Sequence, residues 1–423
     1  MSTLGRVLAC VKGELARLVP ESLLRPLVAA EGRSARQRTL TPVVTAYLAL
    51  RQVLHGHVSA AGLRHLAGLA FTPRAYGQAR GRLSVGFFHA LMRAVTGRLR
   101  ATDTEPASER WRGHRVWWLD GSSFSMPDTP ELQEAFGQPG GCRAGCGFPV
   151  AHLLVLVDAA TGFIHRAIVA PLRTHDLAEV PRVHPELAAN DVLVGDRAFG
   201  SYAHLAVLRQ QGVHGLFRLH QRRRRGRSQD RRVTYCKPPD RPVWLSAAAY
   251  AQLPTSLVVR EVTVRVTTPG RRVRTVVLVT TLVNRRAYPA GALARLYEAR
   301  WGVEVALGQL KTTLGMDVLR SQTVPGVVKE MLAFVIVYNL VRRVMRQAAH
   351  HQGVAAARIS FVDALRWLRQ AKPGEAVPKL VVNPERPGRF EPRVVKRRPK
   401  NYRRMTKPRG ELKQALREAS LTA

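Results

Sequence analysis

Two aspartates stand where short apolar runs meet a turn. Asp120 closes the run in WWLDGSS and Asp196 closes the run in LVGDRAF, and each run is typical of a buried strand. If those strands are parallel neighbours, both carboxylates project at the carboxyl edge of the sheet, where open α/β sheets place their sites. Two nearby carboxylates repel each other, and a hard cation with oxygen ligands relieves that repulsion. Either aspartate alone would indicate only a turn beside glycine, so the pair is what predicts a metal site.

A third acidic residue belongs to a helix with a defined polar face. In YEARWGVEVALGQLK, Tyr297, Arg300, Glu304 and Lys311 stand at relative positions 0, 3, 7 and 14. At about 100° per residue all four fall within roughly 60° of arc. An adjoining apolar stripe consists of Leu293, Leu296, Val303, Leu307, Leu310 and Leu314. The polar face therefore borders the core, which suits a site where phosphate meets metal better than a solvated ion-pair helix.

The order of predicted elements places these residues in one fold. From residue 114 the sequence predicts strands and helices in the order β-β-β-α-β-α-β, with a hairpin turn from Asp158 to Gly162. Three sequential strands followed by right-handed crossovers make a mixed sheet covered by helices. This is the order of the ribonuclease-H-like fold, so we predict the α/β class.

The chain divides into five predicted segments. They are a helical, DNA-binding domain (1–110), the first part of the catalytic core (111–220), a β-rich insertion (221–285), the helical remainder of the core with the helix of Glu304 (286–370), and a basic tail (371–423). In the first segment, Thr72-Pro73 predicts a helix start. The arginine-bearing stretch that follows fits either a helix-turn-helix or a plain helical bundle. The tail is rich in Pro, Arg and Lys, and we expect it to be extended or disordered.

The charge of the chain predicts the kind of partner. Sixty-seven Lys and Arg stand against 29 Asp and Glu, a formal charge of +38. Such a field favours polyanions, of which nucleic acid is the commonest in cells. Phosphate contacts are expected above all from Arg222–Arg232, which holds seven arginines, and from the tail beyond Arg386.

The sequence shows no sign of a disulfide framework, a signal peptide or a membrane span, and this predicts the cellular compartment. Four cysteines are too few and too scattered for a disulfide framework, and no signal peptide is visible. The most apolar run, Met331–Val341, is shorter than the about 20 residues that span a bilayer. We therefore expect no membrane partner and a location in the bacterial cytoplasm, associated with the nucleoid.

Three motifs together resemble a known family. Tyr297-x2-Arg300-x3-Glu304-x6-Lys311 resembles the YREK signature of insertion-sequence transposases of the IS-four type. LDGSS and GDRAFGSY resemble the two aspartate motifs of the same family. The resemblance implies a ribonuclease-H-like core and a DDE triad of Asp120, Asp196 and Glu304 that binds two Mg²⁺ or Mn²⁺ ions. It also implies a homodimer on double-stranded DNA that cuts transposon ends, often through a hairpin, and joins them to target DNA.

The remaining site residues receive roles from phosphodiester chemistry. Two metal ions can activate the incoming oxygen and stabilise the leaving 3′ oxygen of an in-line displacement. Arg300 and Lys311 would hold phosphates near the scissile bond, and Tyr297 would donate a hydrogen bond to a phosphate. Trp244, in the insertion, is a candidate for the tryptophan on which this family stacks a flipped base.

Two other functions remain open on the sequence alone. A ribonuclease-H-fold nuclease or junction resolvase would share the carboxylates but cut without joining, and a strand-transfer assay separates the two. An inactive DNA-binding derivative of a transposase would retain the fold, although the intact triad argues against it.

Overall fold

The computed structural model describes residues 14–31, 39–102, 110–220, 229–266, 274–372, 374–384 and 405–421. Most of the basic run Arg222–Arg232 and residues 385–404 of the tail lie outside these ranges, so their predicted phosphate contacts stay predictions.

Helices form the first part of the chain, as predicted. Their bounds are Leu15–Leu18 (α1), Glu21–Ala30 (α2), Pro42–Leu54 (α3), Ala60–Ala67 (α4), Pro73–Arg82 (α5) and Val85–Ala101 (α6). The predicted helix start is confirmed, because the Thr72 hydroxyl accepts a hydrogen bond from the amide of Ala75 and Pro73 occupies the first turn.

An eight-stranded mixed sheet follows within the described residues. The strands are Val116–Ser125 (β1), Val150–Asp158 (β2), Ile164–Pro171 (β3), Val192–Gly195 (β4), His214–Arg218 (β5), Asp230–Cys236 (β6), Ser256–Val266 (β7) and Arg274–Thr280 (β8). Their spatial order is β3-β2-β1-β4-β5-β8-β7-β6. The β1–β4 and β4–β5 pairs are parallel, and the other pairs are antiparallel. This confirms the ribonuclease-H-like α/β sheet, and the β-rich segment continues it through the β5–β8 pair.

Helices also cover the sheet and complete the chain. Their bounds are Pro130–Phe136 (α7), Asp176–Glu179 (α8), Tyr202–Gln210 (α9), Ala247–Ala251 (α10), Ala290–Ala299 (α11), Trp301–Gly308 (α12), Val324–Gln352 (α13), Phe361–Gln370 (α14) and Arg409–Leu421 (α15). The expectation of an extended tail is wrong at α15, where the helix formers of ELKQALREA outweigh the flanking prolines and arginines.

The core is organised around α13. This helix is long and apolar enough to cross a membrane by length and composition, but 83% of its most apolar window is buried inside the protein. Asn339, in the middle of α13, is fully buried. Its amide donates to the carbonyl of Ile164 at 2.8 Å and to the hydroxyl of Thr96 at 3.1 Å, and its oxygen accepts from the amide of Ile164 at 2.8 Å. One side chain thus joins α13, β3 and α6.

The helix predicted over residues 288–315 is not continuous. It ends at Ala299, restarts at Trp301 and finishes in a π-helical turn, Gln309–Thr313. A π turn adds a residue to the helical cycle, so a wheel drawn at 100° per residue misplaces whatever lies within it. Lys311 lies in that turn.

Close packing sets the distance between α12 and the sheet. A Cβ on Gly302 would lie 2.3 and 2.4 Å from ring atoms of Trp118, so the helix approaches β1 only because this position is glycine. We expect Gly302→Ala to lower the free energy of unfolding by about 1–3 kcal/mol through overpacking. Gly308→Ala, on the same helix with nothing within 4 Å of the added methyl, should be neutral or stabilising by up to about 1 kcal/mol. Equal melting temperatures for the two variants would contradict this account.

Candidate active site

The two aspartates meet at the centre of the sheet, on neighbouring parallel strands. Asp120 lies inside β1, not past its end as predicted, because β2 pairs with β1 as far as Ser125. The parallel pairing of β1 with β4 stops at Leu119 and Gly195. Asp120 and Asp196 are therefore the first residues beyond that pairing, and the expected adjacency of the two carboxylates is found.

Arg300, at the junction of α11 and α12, joins two of the three carboxylates. Its Nη1 lies 2.9 Å from Asp120 Oδ2 and its Nη2 lies 2.8 Å from Glu304 Oε1. The Arg300 side chain is only 12% exposed, against 21% for Asp120 and 31% for Glu304. One planar guanidinium thus bridges the strand and the helix, a geometry that an ammonium could not reproduce.

Of the other two residues of the polar face, Tyr297 contacts an aspartate of the site and Lys311 lies at its edge. The Tyr297 hydroxyl donates to Asp196 Oδ1 at 3.4 Å, and the ring centre lies 5.5 Å from Arg300 Cζ. Lys311 Nζ donates to the carbonyl of Ser123 at 2.9 Å. The π turn therefore brings Lys311 to the backbone of β1, beyond the carboxylates that Tyr297 and Arg300 contact.

The site concentrates negative charge where water is scarce. Burial raises the pKa of Asp120 above its usual range, opposed by Arg300 and by the amide of Gly121, while Glu304 and Asp196 raise it further. Burial opposes the charged form of Arg300, but Tyr297, Asp120 and Glu304 together raise its pKa. Burial also raises the pKa of Tyr297. The negative charges of Glu304 and Asp196 thus act on Asp120, and Arg300 is the cation that contacts both Asp120 and Glu304.

The donor set suits a hard divalent ion, although it is not assembled as a cage. Among the residues the structure describes, no group of three or more His, Cys, Asp or Glu side chains is placed to hold a metal ion. All the ligand atoms offered are carboxylate oxygens, as Mg²⁺ and Mn²⁺ prefer. The guanidinium occupies the space between Asp120 and Glu304 that a cation would share. The residues fit such an ion if Arg300 moves aside.

Sequence reasoning missed a second pair beside the aspartates. A Cβ on Gly121 would lie 2.5 Å from His152 Nε2, and the same imidazole nitrogen contacts the carboxylate of Asp176. Asp176 is the first residue of the four-residue helix α8. His152 lies opposite Ser123 in the β1–β2 register, so only the pairing of two distant strands could have revealed this contact.

Trp244 belongs to a different cluster. It packs edge-on against His184 and His204, with ring centres 6.5 and 6.4 Å apart. Its role in stacking a flipped base stays a prediction.

A sheet in this order defines the ribonuclease-H-like fold, and it carries carboxylates on two adjacent parallel strands and a third on the helix packed across them. A family model described as "Transposase DDE domain" matches residues 111–340, which is more than half of the chain. The chain belongs to this family and is a DNA transposase.

Individual relatives agree with this family. The chain is 24% identical over 349 residues to "Transposase InsG for insertion sequence element IS4" of Escherichia coli K12, covering 78% of each chain. It is 27% identical over 105 residues to "Putative transposase InsZ" of the same organism, covering 25% of this chain and 35% of that one. The predicted resemblance to the IS-four type is confirmed. A solved structure of piggyBac transposase, in a synaptic complex with hairpin DNA, aligns with a TM-score of 0.44 and 10% identity over 86% of this chain and 79% of that chain.

The Arg300 bridge makes a pH-dependent stability prediction. Arg300→Gln leaves Asp120 and Glu304 without this counter-charge, so we expect the free energy of unfolding to fall by about 1–3 kcal/mol at pH 8. This is less than for a fully buried ion pair, because both carboxylates are partly exposed to solvent. Asp120 has a raised pKa in the folded chain. Its protonation as the pH falls should therefore remove the repulsion, and the loss should shrink at pH 5.

The control is Arg295→Gln, which removes an exposed arginine from the same helical segment. Thermal melting at pH 5 and pH 8 measures both variants. A loss for Arg300→Gln that does not depend on pH would mean that the carboxylates are not the cause.

Proposed function

We propose that this transposase cuts and joins DNA at transposon ends by metal-dependent phosphodiester chemistry, with Asp120, Asp196 and Glu304 as the catalytic carboxylates and metal ligands. The observation that supports this proposal is the bridge from Asp120 through Arg300 to Glu304, beside Asp196 on the neighbouring strand. Carboxylates are seldom brought together away from water unless a cation completes the group.

The bound ions would supply activation of the attacking oxygen and stabilisation of the leaving 3′ oxygen. Two Mg²⁺ or Mn²⁺ ions are proposed, with Asp120, Asp196 and Glu304 as their ligands. Every other part of the chemistry falls to the side chains around them.

Arg300 pairs with both Asp120 and Glu304 and offsets part of their negative charge. A DNA phosphate offers the same guanidinium two oxygens, so Arg300 can exchange carboxylate partners for a phosphate. That exchange clears the space between the carboxylates as the substrate arrives. Tyr297 can likewise turn its hydroxyl from Asp196 to a phosphate oxygen.

Lys311 holds a more peripheral phosphate in this proposal. One of the three donors of its ammonium goes to the carbonyl of Ser123, at the carboxyl end of β1. The remaining donors can contact the strand that leaves the site, so Lys311 orients DNA without releasing its own anchor.

The transposon-end duplex and the target duplex are the proposed substrates, bound by a homodimer in the cytoplasm, and the use of a hairpin intermediate follows only from the resemblance. A nuclease that cuts without joining is disfavoured by the family to which the chain belongs. A strand-transfer assay on pre-cut ends with a free 3′-OH separates the two activities.

The triad variants test the catalytic proposal. Asp120→Asn, Asp196→Asn and Glu304→Gln should each reduce end cleavage by at least about a thousandfold in Mg²⁺, as losing a metal ligand removes several kcal/mol of transition-state stabilisation. Binding to end DNA in Ca²⁺ should persist, because phosphate contacts supply most of the affinity. Glu298→Gln, on the helix before Arg300, is the matched control. Substantial cleavage by any triad variant would remove that residue from the triad.

Metal affinity tests the exchange of Arg300. Because a like charge about 4 Å away costs from about 1 kcal/mol in water to about 4 kcal/mol at an effective dielectric of 20, we expect Arg300→Gln to bind Mn²⁺ at least about fivefold more tightly than wild type without DNA. Paramagnetic resonance of free Mn²⁺ measures this directly, with Arg295→Gln as control. Adding end DNA should tighten Mn²⁺ binding in the wild type and have less effect in the variant. Equal Mn²⁺ affinities without DNA would contradict the exchange.

A further inference from the structure

The helical part of the chain has an unusual charge distribution. Between Glu31 and Asp103 the sequence holds eleven arginines and no Asp, Glu or Lys. A soluble helical domain normally mixes both signs on its surface. Charges of a single sign on one surface repel one another, and binding a dense polyanion relieves the repulsion among positive charges. This segment contains α3, α4, α5 and α6.

Helices α4 and α5 form a short-turn pair within this segment. Helix α4 ends at Gly68, whose φ of 62° is the left-handed conformation that glycine adopts readily. Helix α5 begins four residues later, at the Thr72 cap. Both helices pack against α3, most of whose residues are buried. A pair of helices joined by a short turn and packed on a third is the arrangement that a helix-turn-helix requires.

The two sides of α5 differ sharply. Tyr76 and Ala79 are buried. The opposite side exposes Arg74, Gln78 and Arg82, four residues apart, so each stands about 40° from the previous one on the same side of the helix. We call these three side chains the α5 face.

The spaces between these side chains are open. A Cβ on Gly77 or Gly81 would meet nothing within 4 Å, and both glycines are exposed. Glycine in mid-helix costs about 1 kcal/mol relative to alanine. Two of them beside a row of long donors leave room for another molecule to approach the helix backbone closely.

The end of α5 is fixed to the catalytic core. Lys329 of α13 is buried, and its ammonium donates to the carbonyls of Arg80 at 3.1 Å and Leu83 at 3.0 Å. These are among the carbonyls that a helix end leaves without partners. Arg80 Nη2 donates to the Ser321 hydroxyl at 2.9 Å, in the segment between the π turn and α13. The α5 face is thus presented by a helix whose other side and last turn are held by the protein.

We propose that the α5 face enters the major groove of the transposon-end duplex and reads its base sequence. This inference rests on the proposed function and adds the surface that selects the DNA. Arginine forks match the two acceptors of guanine, and glutamine matches the acceptor and donor of adenine, so the α5 face offers three base-specific contacts. A groove about 12 Å wide admits a helix, most closely where side chains are absent. The contacts of Lys329 and Arg80 then fix the position of α5, which reads the bases, relative to the catalytic core.

The test separates base reading from charge. The full-length wild-type chain first selects duplexes from a pool with 20 randomised base pairs, and the enriched duplex and a shuffled version become the two probes. We expect Arg74→Ala, Gln78→Ala and Arg82→Ala each to weaken binding to the enriched duplex by about 5- to 100-fold, the range of one bidentate base contact. Binding to the shuffled duplex should fall by less than about threefold, as for one lost charge. Arg98→Ala, exposed on α6 in the same acid-free segment, is the matched control and should weaken both probes equally and slightly.

Each outcome decides something. Equal losses on both probes for Arg74→Ala and Arg82→Ala would make the α5 face a contact to phosphates only and overturn the proposal. Unchanged selectivity in all three variants, with a wild-type chain that cleaves the enriched duplex in Mg²⁺, would overturn the α5 assignment and leave the proposed function standing. A wild-type chain that binds but cleaves no enriched duplex would instead count against the proposed function. Circular dichroism of each variant confirms folding, since all three side chains are exposed.

Discussion

The guanidinium of Arg300 is the interaction on which the site depends. It connects a strand of the sheet to a helix that arrives 180 residues later in the chain, through Asp120 and Glu304. Without that cation, three carboxylates would face one another in a partly dry environment, and the cost would fall on the packing of α12 against β1. The close approach of α12 to β1 at Gly302 lies two residues from the Arg300 bridge. One guanidinium thus offsets part of the negative charge of three carboxylates.

Most elements of the fold could be predicted from local sequence patterns. The strands that hold Asp120 and Asp196, the hairpin turn after Asp158 and the helix start at Thr72 all follow from patterns of a few neighbouring residues. What the sequence could not reveal depended on distant partners. β1 continues past Asp120 because β2 pairs with it there. The β-rich segment joins the main sheet because β8 pairs with β5.

The site was predicted in its residues more than in its geometry. Type and spacing were enough to select Tyr297, Arg300 and Glu304, since all three reach the aspartates directly or through one another. Lys311 lies in a π turn, which a wheel drawn at 100° per residue does not anticipate. The His152–Asp176 contact could not be predicted from local sequence patterns, because it joins two segments that are distant along the chain.

The largest apolar cluster among the described residues has a consequence for folding during synthesis. Residues of α3 and α6 share one apolar cluster with α13, so the N-terminal helices bury their inner faces against a helix that the ribosome delivers some 250 residues later. Contacts so distant along the chain delay folding until both partners have been synthesised. A chain cut short before α13 would expose those apolar faces and be a target for chaperones and proteases. The N-terminal helices and α13 thus bury their apolar faces against one another, and α13 is the later of these partners to leave the ribosome.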